Sequence, residues 1–365
     1  MPNSLELASK RRSTIYIEFI RILASFFVVY LHTGNYAVWN YTLLPVKSLH
    51  FPIELCFSVW SKIAVPMFFM ISGALLLGKD ESLAVVIKKR VWKYVKLIVV
   101  FSFINYIIDN CLLNKNPFNV LEFIANILSD KTPVAYWYLY ASLALMLLLP
   151  FLRSIARQMT YQLFKYMVLL LLLLTFVFKL VDVFWLSKTA QQVNIHFNNT
   201  FFSESLLYFL IGYGLIKFVN LENWPKRHVV ATAALWAGSI LVMAGLTVVH
   251  SVHQHAWNST TFATFTQSLI AITAGSTICL TRYFFRNINP DGIPARIICV
   301  LGKASVGVVL FEGLMRKLFF VDMVEFLGMH IPVFIAGCLS AMAVCFACWL
   351  IAWIIQHTPF LKKLL

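Results

Sequence analysis

The sequence predicts an all-α polytopic integral membrane protein with about ten transmembrane helices and both termini in the cytoplasm. Three observations carry this. Hydrophobic residues make up 60% of the 365-residue chain and charged residues only 12%, whereas soluble domains carry roughly 25% charged residues. The apolar residues gather in runs of about 20, the length an α-helix needs to cross about 30 Å of hydrocarbon. Lys and Arg are dense in alternate gaps between those runs and sparse in the others, the pattern that orients a membrane protein.

The apolar runs lie at about 14–34, 55–78, 94–113, 134–152, 166–186, 202–219, 229–249, 261–281, 297–319 and 332–356. Lys10, Arg11 and Arg12 precede the first. Lys88, Lys89, Arg90 and Lys93 follow the second, and Arg153, Arg157 and Lys165 the fourth. Lys217, Lys226 and Arg227 follow the sixth, Arg282, Arg286 and Arg296 the eighth, and Lys362 and Lys363 close the chain. An even number of spans preserves this alternation and puts both ends inside. The longest gaps, about 35–54, 114–133 and 187–201, then face outward. The expectation is one transmembrane domain over 1–365, with a short cytoplasmic tail at 1–13 and no soluble domain. The run after Arg12 is too long for a cleaved signal and contains Arg21, so it reads as a retained span.

The net charge of +15 would suggest a polyanionic partner in a soluble protein. Here it is accounted for by topology, and no nucleic-acid reading motif accompanies it. All seven cysteines fall in or beside apolar runs, so Cys345 and Cys348, though spaced C-x-x-C, read as packing thiols.

The first run is the unusual one. It holds Glu18, Arg21 and His32, and a charge in a spanning helix costs on the order of 2.5–3.5 kcal/mol on insertion scales, which makes such residues functional candidates. Arg21 and His32 lie about 16 Å apart along the helix axis and on nearly the same face. Arg21 sits toward the cytoplasm, where a permanent cation suits phosphate or carboxylate. His32 sits near the outer surface, where a neutral imidazole suits general-base work near pH 7. The plainer reading is that Arg21 pairs with Glu18 and His32 is an interfacial residue.

Arg21, ten residues, then His32 matches the R-x10-H signature of the membrane-bound acyltransferase family three, the bacterial sugar O-acyltransferases and their relatives. Further stretches resemble that family in its order. Val65 to Leu76 resembles its F-F-x-x-S-G-x-L-L helix, and Arg90 to Lys93 its basic R-x-x-R. Tyr136 to Leu152 resembles its W-F-L…L-L-P helix, and Gly302 to Gly307 its G-x-x-S-x-G helix start. The resemblance implies transfer of an acyl group, commonly acetyl, from cytoplasmic acyl-CoA to a hydroxyl of a cell-surface or envelope glycan, in the bacterial plasma membrane. It implies His32 as catalytic base or acyl carrier, with Arg21, Arg90 and Lys93 assisting donor binding. Trp137 and Tyr140 could wall an acceptor sugar, or belong to an interfacial aromatic belt. Lys93 replaces an arginine of the family's pattern. Glu312 stands where relatives carry a second histidine, and is expected at the depth of His32, orienting it or pairing with an internal cation, since an unpaired buried carboxylate is costly.

Three weaker clusters remain. Lys179 and Asp182, three apart, are expected to neutralise each other. His250, His253 and His255 read as a solvated outer loop rather than a metal site. Asn40, Asn198 and Asn258 head N-x-T patterns in outer gaps and are taken as chance. The donor is expected as a substrate rather than a resident cofactor, and no metal site is read. The rival functional reading is an exporter or flippase for a polysaccharide or lipid-linked sugar, with Arg21 lining its pathway.

Overall fold

The computed structural model describes residues 4–129, 136–186, 204–220, 224–257, 261–264, 267–359 and 361–363, and no strand occurs among the described residues. Twelve helical segments order the description: α1 (Ser4–Leu31), α2 (His50–Leu76, interrupted at Lys62–Ile63), α3 (Leu83–Leu113), α4 (Val120–Leu128), α5 (Trp137–Gln158), α6 (Tyr161–Phe184), α7 (Glu204–Phe218), α8 (Lys226–Gln254), α9 (Ser268–Phe285), α10 (Ile293–Ala304), α11 (Val306–Gly328) and α12 (Val333–His357). Seven of these, α2, α3, α5, α6, α8, α9 and α12, are long and apolar enough to cross a membrane; α10 and α11 make an eighth if their 65° bend is one broken span. The chain is thus a multi-pass membrane protein. α1 and α7 fill the stretches read as the first and sixth spans but lie outside that set, α7 because it is short.

Several boundaries differ from the sequence reading. α3 starts at Leu83 rather than about 94, because the basic residues Lys88, Lys89 and Arg90 fall in a π-helical turn, Val86–Val91, that continues the helix instead of breaking it. Long cationic side chains can leave a helix end for water while the backbone stays helical. α8 likewise runs on to Gln254, taking His250 and His253 into its last turns, and ends at His255 in the left-handed region with φ +52°. α4 lies in a gap read as a loop. It is nine residues long, too short to register as a span, and strongly amphipathic.

α1 is the axis of the bundle. Ile20, Ala24, Phe27 and Tyr30 are fully buried. Ile20, Ala24 and Phe27 belong to a core shared with Met67 and Met70 of α2, Phe209 of α7 and Ile270 of α9. Val29 belongs to a second core with Phe101 of α3, Val308 and Leu310 of α11 and Val344 of α12. Lipid is as apolar as a leucine core, so helices in membranes associate by close packing of small residues. Two such contacts fix the frame. A Cβ on Gly73 of α2 would overlap the Phe209 carbonyl of α7, and one on Gly212 would overlap the Met70 carbonyl. Gly302 of α10 has the same relation to Glu18 of α1, and Gly307 of α11 to Ala352 of α12. The late glycines flank the bend at Ser305 and seat its two arms on two different helices.

Gly73→Ala is expected to lower the thermal midpoint of the detergent-solubilised protein, by about 1–3 kcal/mol of overpacking. Gly238→Ala in α8, where nothing lies within 4 Å of the new methyl, is expected to leave it unchanged or slightly raised. Equal midpoints for the two variants would contradict the close α2–α7 contact.

Candidate functional site

Arg21 projects from α1 into a cavity of about 230 Å³. Lys93 of α3 and Lys303 of α10 share the wall, with Ser72, Tyr138 and Gln356. Three cations from three helices give this cavity a positive wall complementary to phosphate or carboxylate, to which charge-assisted hydrogen bonds are the strong ones. Arg21 Nη1 also donates to Glu18 Oε1 at 2.7 Å, the local pair anticipated for it. The second oxygen, Glu18 Oε2, is buried without a partner.

Arg90 is placed differently. It is not among the residues lining that cavity; its guanidinium donates to Glu81 Oε1 at 2.7 Å, in the short connection between α2 and α3. Arg153 of α5, buried, donates to Glu81 Oε2 at 2.8 Å and to the Leu76 carbonyl at 3.1 Å. The two guanidinium groups hold the Glu81 carboxyl down at about 2. Arg153 reads in the sequence as a loop charge, and nothing in its neighbourhood signals a partner 72 residues away.

His32 follows the last residue of α1. Its Nδ1 lies 3.1 Å from Oε1 of Glu312, in α11. Glu312 is almost completely buried, and its other oxygen is 3.7 Å from Nε of Arg316, one turn on. Neither contact has the alignment of a full hydrogen bond, so His32 Nδ1, Glu312 Oε2 and Arg316 Nε remain buried polar atoms with spare capacity. The two approaches still bring an imidazole, a carboxylate and a guanidinium together at the end of α1. A carboxylate facing Nδ1 favours the tautomer with the proton there, which leaves Nε2 as the basic nitrogen.

Glu312 also lines a second cavity, of about 400 Å³, between α3, α4 and α11. The two cavities do not share a lining residue. Leu97, Leu139 and Val309 border the Arg21 cavity; Ser102, Asn105 and Glu312, further along the same α3 and α11, border the other. Between them the Tyr136 hydroxyl donates to the Leu310 carbonyl at 3.0 Å and accepts from Asn105 Nδ2 at 2.6 Å, while Phe101 and Phe311 meet edge to face. Tyr136 is 1% exposed. On α11 the partition is one helical turn thick.

The aromatic pair expected against an acceptor is not on either cavity. Trp137 packs on Phe69, and the Tyr140 hydroxyl donates to the Ile127 carbonyl at the end of α4. Their neighbour Tyr138 lines the Arg21 cavity instead, because on a helix only every third or fourth position shares a face. Lys179 and Asp182 approach to 3.6 Å. His250 is buried against Phe262, which corrects its reading as part of a solvated loop. Asn40 is buried with Nδ2 bonded to Glu54 at 2.9 Å; Asn198 and Asn258 lie outside the described residues. The amides around the larger cavity, Asn105, Asn110, Asn114 and Asn126, are not legible in the sequence, because isolated asparagines near span ends carry no spacing pattern.

A family model described as an acyltransferase domain, that of acyltransferase family three, matches residues 14–350, nearly the whole chain. This chain belongs to acyltransferase family three. Comparison with curated proteins and with solved structures gives no match. The match begins inside α1 and ends inside α12.

The clamp on Glu81 gives a pH dependence with a defined sign. Its carboxyl is held below the ordinary value of 4.5, so its stabilisation is complete above about pH 4.5 and is lost as the pH falls toward about 2. Glu81→Gln is expected to destabilise the acyltransferase at pH 7 by on the order of 1–3 kcal/mol. The gap between native and variant thermal midpoints should narrow at pH 3. A gap independent of pH would show that Glu81 is not ionised in the clamp.

Proposed function

We propose that this acyltransferase takes an acyl group, with acetyl the leading candidate, from a cytoplasmic acyl-CoA and delivers it to a hydroxyl of a cell-surface or envelope glycan. The membrane in this reading is the bacterial plasma membrane, crossed ten times, with both termini inside. The observation that carries the reading is the His32–Glu312 contact, beside an amide-rich cavity and one turn of α11 from a cation-lined one. The positive-inside pattern puts the Arg21 end of α1 at the cytoplasm, where the phosphates of the donor would meet Arg21, Lys93 and Lys303. The pantetheine arm would then extend along α1 toward His32.

In this mechanism Glu312 holds the proton of His32 on Nδ1, and Nε2 takes the proton of the acceptor hydroxyl. The hydroxyl oxygen attacks the thioester carbonyl, the tetrahedral adduct collapses, and the carbon–sulfur bond breaks. The imidazolium returns its proton to the departing CoA thiolate. Arg316 limits the charge that accumulates on Glu312. For the transfer to occur the Tyr136 partition must admit the thioester, so Tyr136 would move from the Leu310 carbonyl when donor is bound.

Membranes containing the native chain, supplied with labelled acetyl-CoA, are expected to pass label to envelope glycan. Equally expressed His32→Ala should lose about 10²–10⁴ of that rate, the usual worth of a positioned general base. Glu312→Gln should lose about tenfold or more, and the double variant little beyond His32→Ala, because residues acting as a unit are not additive. Undiminished transfer by His32→Ala would remove it from the chemistry.

A further inference from the structure

Acyl transfer from a thioester puts negative charge on the carbonyl oxygen of the tetrahedral adduct. A positioned donor for that oxygen is usually the largest single electrostatic contribution to such a reaction. His32 and Glu312 manage the proton and offer the oxygen nothing. Around Glu312 most donors are already engaged. Lys317 is bound to Asp109 at 2.6 Å. Asn105 Nδ2 donates to the Phe101 carbonyl at 2.9 Å and to the Tyr136 hydroxyl at 2.6 Å, which uses its two hydrogens. The Tyr136 hydroxyl in turn donates to the Leu310 carbonyl. Ser102 Oγ is buried without a partner, but a neutral hydroxyl is a weaker donor to an anion than a charged group is. Arg316 differs from all of these. It lines the cavity beside Glu312, and its side chain is 35% exposed. Its Nε is buried without a hydrogen-bond partner. The carboxylate oxygen it faces, Glu312 Oε2, is 3.7 Å away and out of alignment.

The charge balance points the same way. At rest, Glu312 has a neutral imidazole on one oxygen and the Arg316 cation near the other. When His32 takes a proton, an imidazolium stands 3.1 Å from Glu312 Oε1, and that pair neutralises itself. The Arg316 charge is then left without a counter-ion at the moment the carbonyl oxygen becomes negative. Two cations face two anions, and the site gains no net charge, which a low-dielectric interior penalises heavily. Leaving Glu312 costs Arg316 little, because no aligned hydrogen bond is broken. The backbone assists: a π-helical turn begins at Arg316, and such turns re-aim side chains at functional sites.

We propose that Arg316 is a catalytic residue of the transfer, whose guanidinium moves from Glu312 to the oxyanion of the tetrahedral adduct as His32 is protonated. The inference rests on the His32-centred reading of acyl transfer. The acceptor hydroxyl gives its proton to His32 Nε2, and its oxygen bonds to the thioester carbon. The π electron pair of the carbonyl moves onto the carbonyl oxygen, against Arg316. That pair returns as the carbon–sulfur bond breaks, the sulfur leaves with the electrons of the broken bond, and the imidazolium proton passes to the thiolate. Arg316 then falls back to Glu312.

The test uses the full chain in membranes, at equal expression, with labelled acetyl-CoA as donor and envelope glycan as acceptor. Arg316→Gln is expected to lower kcat by about 10²–10³, the usual worth of one oxyanion donor. The KM for acetyl-CoA should change less than about threefold, because the contact is made only in the transition state. Arg316→Met is the second variant should the glutamine lower the thermal midpoint, and the same loss is expected of it. Lys317→Gln, on an exposed pair with Asp109, should lose less than about fivefold. The double variant Glu312→Gln/Arg316→Gln separates two roles. An oxyanion donor and a group that orients His32 act on different atoms, so their losses should multiply. A mere counter-charge for Glu312 would instead let the double variant match Glu312→Gln alone, and that result overturns the assignment. So does native kcat in either Arg316 variant, or an equal loss in Lys317→Gln. Transfer lost in His32→Ala but intact in Arg316→Gln sinks the role of Arg316 and leaves the transfer reading standing. Transfer that depends on Arg316 but survives His32→Ala does the reverse, and no transfer by the native chain sinks both.

Discussion

A carboxylate buried inside a membrane bundle has to be balanced, and the balancing of Glu312 organises this structure. Desolvating a charge costs several kcal/mol even after relaxation, so the residue survives in α11 only with His32 on one oxygen and Arg316 near the other. That requirement ties the end of α1 to the middle of α11. The bend between α10 and α11 lets α10 pack through Gly302 on Glu18, while α11 packs through Gly307 on α12 and presents Glu312 to His32. Gly302 and Gly307 thus help set where α11 carries Glu312 relative to the end of α1.

The same economy appears in the cavity walls. Two π-helical turns, Ile107–Leu113 in α3 and Arg316–Phe320 in α11, supply Asp109, Asn110, Arg316 and Lys317 to the larger cavity. A π turn re-aims the side chains that follow it and is common at functional sites. Here both sit where α3 and α11 face each other, and the Asp109–Lys317 pair joins them.

Much of this was legible in the sequence. Apolar runs of span length gave the helical, multi-pass class, and the spacing of Arg21 and His32 gave one helix face with a cation and an imidazole at different depths. Depth counting along the ninth run put Glu312 near His32, and the two meet. The illegible parts share a cause: they depend on partners distant in sequence or on segments shorter than a span. Arg153 and Arg90 share Glu81 only because α5 packs beside the connection after α2. Tyr140 and Tyr138 look alike in sequence, yet one turns to α4 and the other to the Arg21 cavity. α4 itself has nine residues, so its polar face and the asparagines around it leave no periodic trace long enough to read.

The Tyr136 partition has an electrical consequence. A membrane voltage does not fall evenly across a protein; it falls where water and mobile ions stop. Cavities lined partly by polar residues lie to either side of Tyr136, Phe101 and Phe311, so in a bilayer whose water reached both, the insulating layer would thin from the full hydrocarbon thickness toward about one to two helical turns. A charge moved across a whole membrane exchanges about 2.3 kcal/mol per 100 mV, and in that arrangement the drop would fall across these three side chains.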